Sequence, residues 1–474
     1  MAFAEDERQL SRSPSCGSLF GGGPGGFVDP EEETSVDAPP LPPPWLEDHP
    51  TCGLAWAKRG LSLCPEWEVE PTVESVVATL EVAIGCNQQY DVRFLHEGTL
   101  SKLYDVSFGN QAFVMRVSLP VHPRAKTEAE VATLDWVYQH TRLPVPRVRA
   151  HDSSRNNPLG FEWILMTKLE GKPLSECWSS VTMGSKERLV KQIAGFSRST
   201  FRQPFRGGIG SLYKTISNVD GCSYVGKRAR DGHRRLGSFT EASSWMKSRL
   251  RCALYDLESR LGGVTHDNER GTLQRMLDLT GRIDRLMPEF YPSATDPETS
   301  CSTAREAALG NAEETSVRTM LHHDCLSLDN ILINDDGIFT GVVDWQCISC
   351  LPFHVSCQFP TFLQQANDRF AEPIRNDYLV DQDGSLHAAY YRDRKRYELT
   401  RLRQMYIEEM MNTAPGFVDV WRCETSASLR DYEAAVQNCD NEFTIEWVKE
   451  WVEAVERGGD PAPVPKRLHD LLAA

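Results

Sequence analysis

Apolar positions recur along this chain in two rhythms, and the change from one to the other divides it. Val92 to Leu95, Leu103 to Phe108, Ala112 to Leu119, Arg147 to Ala150 and Phe161 to Met166 are short, β-rich runs bounded by turn residues, which predicts strands. Gly109-Asn110, between the second and third runs, is a tight-turn signal. Two helical periods interrupt the strands. The first lies within Pro71 to Gln88, with Val73, Val76, Val77, Leu80 and Ile84 on one face and Thr72 or nearby acids at its start. The second is Thr127 to His140, with Glu128 and Glu130 in its opening turn. Beyond Glu170-Gly171-Lys172-Pro173-Leu174 the spacing becomes helical: Lys186 to Phe201, Ser243 to Leu261, Thr272 to Leu286, Pro360 to Phe370, Tyr390 to Asn412, Ser428 to Cys439 and Phe443 to Arg457. A hinge at residues 167 to 172 therefore separates a β-rich part from a helical one.

One stretch inside the helical part breaks its rhythm. In Met320 to Trp345, the apolar runs Asn330-Ile331-Leu332-Ile333 and Ile338 to Val343 flank Asn334-Asp335-Asp336-Gly337, where Asp-Gly signals a β-hairpin. The hairpin brings Asn330 and Asp344 to its two outer ends. An Asn and an Asp side by side near a further carboxylate can hold magnesium and orient a hydroxyl for phosphoryl transfer. Other residues read two ways. The turn His96 to Ser101 carries a single glycine, Gly98, and is either a loop whose N–H groups fold over phosphates or an ordinary hairpin loop. Arg116, inside an apolar strand, is either a phosphate-contacting cation or a residue on a solvated face. The acids opening the following helix either pair with that cation or serve the helix dipole.

Composition narrows the classes. Of the net charge of −16 on 474 residues, the first 50 supply −8, with ten acids against Arg8 and Arg12. That segment, with GGGPGG and APPLPPP, has little apolar surface to bury and is expected to be a disordered tail, its proline run a stiff linker or a polyproline ligand. Trp45 to Glu70 carries three tryptophans and is expected to strap onto the folded body. No concentrated basic stripe exists, so nucleic acid is not an expected partner. The basic set Arg392, Arg394, Lys395, Arg396, Arg401 and Arg403 reads as a solvated helix face. No run approaches the eighteen apolar residues of a membrane span, and MAFAEDERQL is not a secretory signal or an Arg-rich transit peptide; a cytoplasmic protein is expected. The 14 cysteines read as buried free thiols, including Cys347, Cys350 and Cys357 around His354, whose spacing lacks the second pair of a zinc ribbon.

Taken jointly and in this order, EGTLSKLYDV, FVMRVSLPVHPRAKTEAEVATLDWV, LPVPRV, LGFEWILMTKLEGKPL, IGSLY, LSLDNILI and GVVDWQCIS are specific. The chain resembles the aminoglycoside phosphotransferase and choline-kinase-like superfamily, in a branch abundant in fungi, from Cys52 to Trp451. The resemblance implies an α+β, two-lobed, protein-kinase-like fold with a small antiparallel-sheet N-lobe and a larger, mainly helical C-lobe. The corresponding layout is a tail at residues 1–50, a strap at 51–70, an N-lobe at 71–170 and a C-lobe at 171–474. It also implies the use of ATP and Mg2+ to phosphorylate a hydroxyl of a small molecule. Carried over residue by residue, Gly98 and Ser101 lie in the phosphate loop. Arg116 stands where most members have lysine, and Glu130 is its helix partner. Met166, Thr167 and Leu169 belong to the hinge that holds adenine, and Asn330 and Asp344 are the magnesium ligands.

The catalytic loop departs from the pattern. His-x-Asp, four residues, then Asn puts His323 and Cys325 at the His and Asp positions when counted back from Asn330. Counted forward, His322-His323-Asp324 gives a correct His-x-Asp with one residue too many. Two functions follow: a phosphotransferase in which Asp324 orients the acceptor, or a pseudokinase-like binding protein in which Cys325 has replaced the base.

Overall fold

The protein is described by a computed structural model over residues 53–59, 62–86, 89–206, 208–214, 223–226, 239–264, 266–292, 317–364, 368–380, 386–458 and 467–472. The acidic tail, Trp45 and the polar insertion at 293–316 lie outside the described residues. The chain opens with a hairpin, β1 Leu54–Arg59 and β2 Ser62–Trp67. Trp67 at its end meets Phe161 edge-on with ring centroids 5.0 Å apart, and Lys102 Nζ sits 5.7 Å from the centre of the Trp67 ring. Helix α1, Val73–Ala83, starts from a capping box. Thr72 Oγ1 accepts from the Ser75 N–H at 3.2 Å, and Ser75 Oγ accepts from the Thr72 N–H at 3.1 Å, so two donors that the helix leaves open are satisfied.

Next come β3 Asp91–Glu97, β4 Ser101–Phe108, β5 Gln111–Ser118, helix α2 Ala125–His140, β6 Val148–Asp152 and β7 Glu162–Thr167. The five strands form one antiparallel sheet in the order β3-β4-β5-β7-β6. Gly109 and Asn110 turn β4 into β5 with φ of 54° and 61°, the pair of left-handed residues that a tight hairpin turn needs. Cross-strand register sets the faces. Arg116 lies opposite Ile164, and Ser118 opposite Glu162, so these four share one face. That face turns to α2, where Val131 packs with Ile164 and Met166. The other face carries Met115, Val117, Trp163 and Leu165 and packs on Val76 and Leu80 of α1.

After β7 the chain crosses to the helical lobe through β8, Lys172–Pro173. It continues as α3 Leu174–Cys177, α4 Met183–Arg202, β9 Phe205–Arg206, β10 Ser211–Lys214, β11 Ser223–Gly226, α5 Ala242–Gly262, α6 Asp267–Phe290 and β12 Arg318–His322. Then follow β13 Ile331–Ile333, β14 Phe339–Val342, β15 Ser349–Pro352, α7 Phe353–Ser356, α8 Ala388–Thr413, α9 Pro415–Arg422, α10 Glu424–Asn438, α11 Ile445–Glu456 and α12 Leu468–Leu472. The result is the expected two-lobed α+β architecture. One C-lobe core joins Leu189 and Ile193 of α4 to Leu399 and Tyr406 of α8 and to Ile331, Val342 and Trp345 of the hairpin. A second joins α5, α6, α10 and α11 around Tyr432 and Trp451.

Two glycines let the connector and the hairpin meet. Gly171 has φ +106°, and a Cβ there would strike the Ile333 carbonyl; Gly341 has φ +156°, and a Cβ would lie 2.7 Å from the Pro144 carbonyl oxygen. This close approach lets β8 pair with β13 and lets the Val342 N–H donate to Pro144 O at 3.0 Å.

Two expectations need correction, and several short elements add to the reading. Among its described residues Pro360 to Phe370 is not an α-helix: Thr361–Leu363 forms a 3-10 turn. Besides its own turn bonds, from the Leu363 N–H to Pro360 O and from the Gln364 N–H to Thr361 O, it is tied outward, from the Phe362 N–H to Leu326 O and from Thr361 Oγ1 to Asp324 O. The basic set on α8 is not wholly a solvated face, because Arg403 is buried and donates to the Leu363 carbonyl at 3.2 Å and to Asp368. Short strands β9 to β12 and β15, and helix α9, were not anticipated, because runs such as SCLP and RTMLH are too short and mixed to show a period.

Candidate active site

The register that turns Arg116 toward α2 gives it a partner there. Arg116 Nη1 lies 2.9 Å from Glu130 Oε1 and 3.4 Å from Asp344 Oδ1, so one guanidinium nitrogen joins the sheet, the helix and the end of the hairpin. Arg116 and Glu130 are buried; the Asp344 side chain is 33% exposed. Burial would lower the Arg116 pKa, but Glu130 and Asp344 outweigh it, and the cation is held above its usual range. Burial pushes the Glu130 carboxyl up, helped by Asp344, while Arg116 and Lys126 pull against it. Of the two readings of Arg116 in the sequence, the solvated face is excluded. Arg116 Nε and Glu130 Oε2 are buried without a hydrogen-bond partner among the described residues.

The hairpin brings the other two ends together. Ile331 pairs with Val342, and the Val343 N–H donates to Asn330 O at 2.9 Å, so Asn330 and Asp344 flank the same end of the ribbon. Asp344 has φ +63° and Cys347 φ +60°, a conformation uncommon outside glycine that turns the chain sharply just after the hairpin. Between them Trp345 is 1% exposed and anchors the turn, its Nε1 donating to Val342 O at 2.9 Å. His323 stands edge-on to Trp345 with centroids 4.7 Å apart, buried as part of the loop's support.

Residues 323 to 330 are tied down by their own backbone. Asn330 Nδ2 donates to the Cys325 carbonyl at 2.8 Å, and the Ser327 N–H donates to the same oxygen at 2.8 Å. A carbonyl can only accept, so the amide nitrogen faces Cys325 and Oδ1 is left as an oxygen donor on the other side. The bond brings the residue five before Asn330 beside its amide. Asp324 is anchored through its carbonyl by Thr361, and its Oδ1 is buried.

The remaining candidates lie around the same sheet, Ser101 and Met166 on the Arg116 face and Thr167 on the other. Gly98 and Ser101 close the β3–β4 turn, with the Gly98 N–H donating to Ser101 O at 2.9 Å. Ser101 is opposite Ser118, and Leu103 opposite Arg116, so Ser101 shares the Arg116 face. Leu100, inside that turn, packs with Leu119, Val121 and Cys347, which ties the turn to the segment after the hairpin. Met166 is buried on this face. At Thr167 the N–H donates to Arg147 O and the hydroxyl accepts from the Arg147 N–H, both at 2.9 Å, so these two groups are already engaged in the sheet; Leu169 lies just beyond, against Gly341.

Lys126 and Glu162 were not singled out from the sequence. Lys126 is 2% exposed, and its Nζ is buried without a hydrogen-bond partner among the described residues. Its one signal was a spacing of four before Glu130, which ordinarily reads as a surface pair. The thiols of Cys350 and Cys357 are pushed up by burial, and His354 is pushed down to about 3 by burial and by Arg430. Among the described residues no group of three or more His, Cys, Asp or Glu could hold a metal ion.

The family model for APH, the phosphotransferase enzyme family, matches residues 91–355. The chain belongs to that family. The match runs from the first strand of the sheet through β15 and α7, so the phosphotransferase segment includes the whole Arg116–Glu130–Asp344 cluster. A subtelomeric hrmA-associated cluster protein of Aspergillus fumigatus is 36% identical over 128 residues, covering 26% of this chain and 25% of the relative. The protein named altered inheritance of mitochondria protein 9, mitochondrial, of Debaryomyces hansenii is 25% identical over 307 residues, covering 57% of this chain and 48% of the relative. The chain thus spans less than half the length of either relative. The crystal structure of aminoglycoside phosphotransferase APH(4)-Ia is 15% identical, with a TM-score of 0.41, over 82% of this chain and 100% of that one. Among the described residues no helix is long and apolar enough to cross a membrane.

Proposed function

We propose that this phosphotransferase-family chain binds MgATP between its lobes and transfers the γ-phosphate to a hydroxyl of a small molecule, slowly, because residue 325 is a thiol. The observation that carries the reading is the Arg116 guanidinium held between Glu130 and Asp344. A cation fixed by a helix acid and facing a partly exposed carboxylate is suited to the α and β phosphates of a nucleotide. The residues fit the group: Arg116 Nε is buried and without a hydrogen-bond partner among the described residues, and Asn330 Oδ1 with the Asp344 carboxylate are oxygen donors of the kind magnesium takes. Magnesium bound there would neutralise charge on the transferring phosphate. Gly98 and Ser101 would cover the phosphates with backbone N–H groups. Met166 would form an apolar wall for adenine, and the hinge contact would fall to Leu169, because the Thr167 N–H and hydroxyl are engaged by Arg147.

The Asn330–Cys325 bond supports the register counted back from Asn330, which gives position 325 to the hydroxyl-orienting group and makes Asp324 its neighbour. A thiol lacks the charge and the two acceptor oxygens of a carboxylate. Phosphoryl transfer depends mainly on positioning and electrostatics, so a carboxylate one residue away leaves a slow enzyme. The same bond favours a second reading, a nucleotide-binding protein without transfer. Asp324→Ala separates them: the first predicts that basal MgATP turnover falls about tenfold or more. Turnover unchanged by the substitution removes Asp324 from the reaction and leaves the binding reading.

A further inference from the structure

The Arg116 cluster does not end at Glu130. Lys126 lies one helical turn before Glu130 on α2, the spacing that makes two side chains neighbours. The Arg124 N–H, at the start of the same helix, donates to Glu162 Oε1 at 2.6 Å, so the Glu162 carboxylate sits against the turn that carries Lys126. Glu162 also lies opposite Ser118 on the Arg116 face of the sheet. Lys126, Glu130 and Glu162 are all 1–2% exposed. Lys126 Nζ and Glu130 Oε2 are both buried without hydrogen-bond partners among the described residues. Glu128, next on the helix, is turned elsewhere, accepting from Ser153 and lying 3.7 Å from His151. What emerges is a cluster of alternating charge, Asp344, Arg116, Glu130, Lys126 and Glu162, buried except for the partly exposed Asp344, in which Lys126 acts on Glu130 and Glu162 through space and not by a hydrogen bond. It holds three acids and two cations, one negative charge in excess, in an interior where charge is poorly screened.

We propose that Lys126 is a positioning residue for the nucleotide: shared between Glu130 and Glu162, its ammonium keeps Glu130 from holding Arg116 to itself and limits the negative charge that a polyphosphate must approach. The proposal rests on the MgATP reading above. Burial pushes both Glu130 and Glu162 up, and Lys126 pulls both down, which agrees with a lysine serving two carboxylates. Without Lys126 the cluster carries a second excess negative charge beside the phosphate site. With Glu162 neutralised as well, the original excess returns although the lysine is gone.

The test is MgATP affinity by calorimetry in four proteins: wild type, Lys126→Met, Glu162→Gln and the double variant, each with its melting temperature. Lys126→Met is expected to weaken MgATP binding roughly tenfold or more, Glu162→Gln to tighten it by a similar factor, and the double variant to return to within about threefold of wild type. Should Lys126→Met not fold, the comparison of Glu162→Gln with the double variant measures the same loss of one cation and is expected to show the same weakening. A double variant as weak as Lys126→Met, or a Lys126→Met protein that binds like wild type, overturns the proposal and leaves Lys126 a packing residue. Wild-type protein that binds no MgATP overturns instead the functional reading on which the proposal stands.

Discussion

Cys325→Asp is expected to raise MgATP turnover about 100-fold or more, the range that a positioned base contributes. The expectation comes from the loop's backbone. Asn330 Nδ2 and the Ser327 N–H both donate to the Cys325 carbonyl at 2.8 Å, so the main chain at 325 is held regardless of the side chain it carries. Cys325 is only partly buried, and a carboxylate is close enough in size to be taken without moving the loop. The substitution therefore changes the chemistry at the position and leaves its geometry. Steady-state ATP hydrolysis suffices as the readout, since the acceptor need not be known. A rate unchanged by the substitution would mean that residue 325 does not face the reacting hydroxyl and that the register counted back from Asn330 is wrong.

Arg116→Met is expected to cost roughly 3–5 kcal/mol of stability and to abolish measurable MgATP binding. Glu130 is 1% exposed, and Arg116 is the cation within 3 Å of it. Removing one partner of a buried pair leaves the other as an uncompensated charge, which costs far more than the pair was worth. The pH dependence has a definite sign. Burial already raises the Glu130 pKa; without Arg116 it rises further, and the folded state then holds a proton that the unfolded state releases. Stability of the variant should therefore fall as pH rises from the ordinary glutamate range toward neutrality, relative to wild type. Chemical denaturation at two pH values checks this. A variant as stable as wild type at pH 7 would show that the ion pair is dispensable to the fold. Arg116→Lys is the informative companion, because ammonium keeps the charge that Nη1 brings to Glu130 and Asp344 but not the further guanidinium donors, Nε among them, left for a phosphate.

How much of this was legible in the chain depended on the period of each element. The sheet strands, the Gly109-Asn110 turn and the 330–343 hairpin were readable because two-residue alternation and turn residues coincide there. Arg116 and Glu130 could be named, but their contact could not. A lone arginine in a strand and acids at a helix start each have an ordinary explanation, and only strand register shows that both face inward. Asp344 was visible at the hairpin end; that it adopts φ +63° was not, since no glycine marks the turn. Lys126 was hidden for a physical reason: four residues before Glu130 it looks like a solvent-exposed helix pair, and burial of that helix face is a property of the packed sheet. Pro360 to Phe370 misled because Phe362 and Leu363 pack in one core with Leu326, while the Phe362 N–H and the Thr361 hydroxyl bond the 324–326 segment.

The central claim is that the Arg116–Glu130–Asp344 cluster is a nucleotide site that depends on magnesium. The most direct measurement is calorimetric titration of ATP into wild-type protein and Asp344→Ala, with magnesium and with chelator. The account predicts saturable binding by wild type in magnesium, weakened about tenfold or more by chelator or by loss of the Asp344 carboxylate. Heat of binding that is absent from wild type, or indifferent to both magnesium and Asp344, would contradict it.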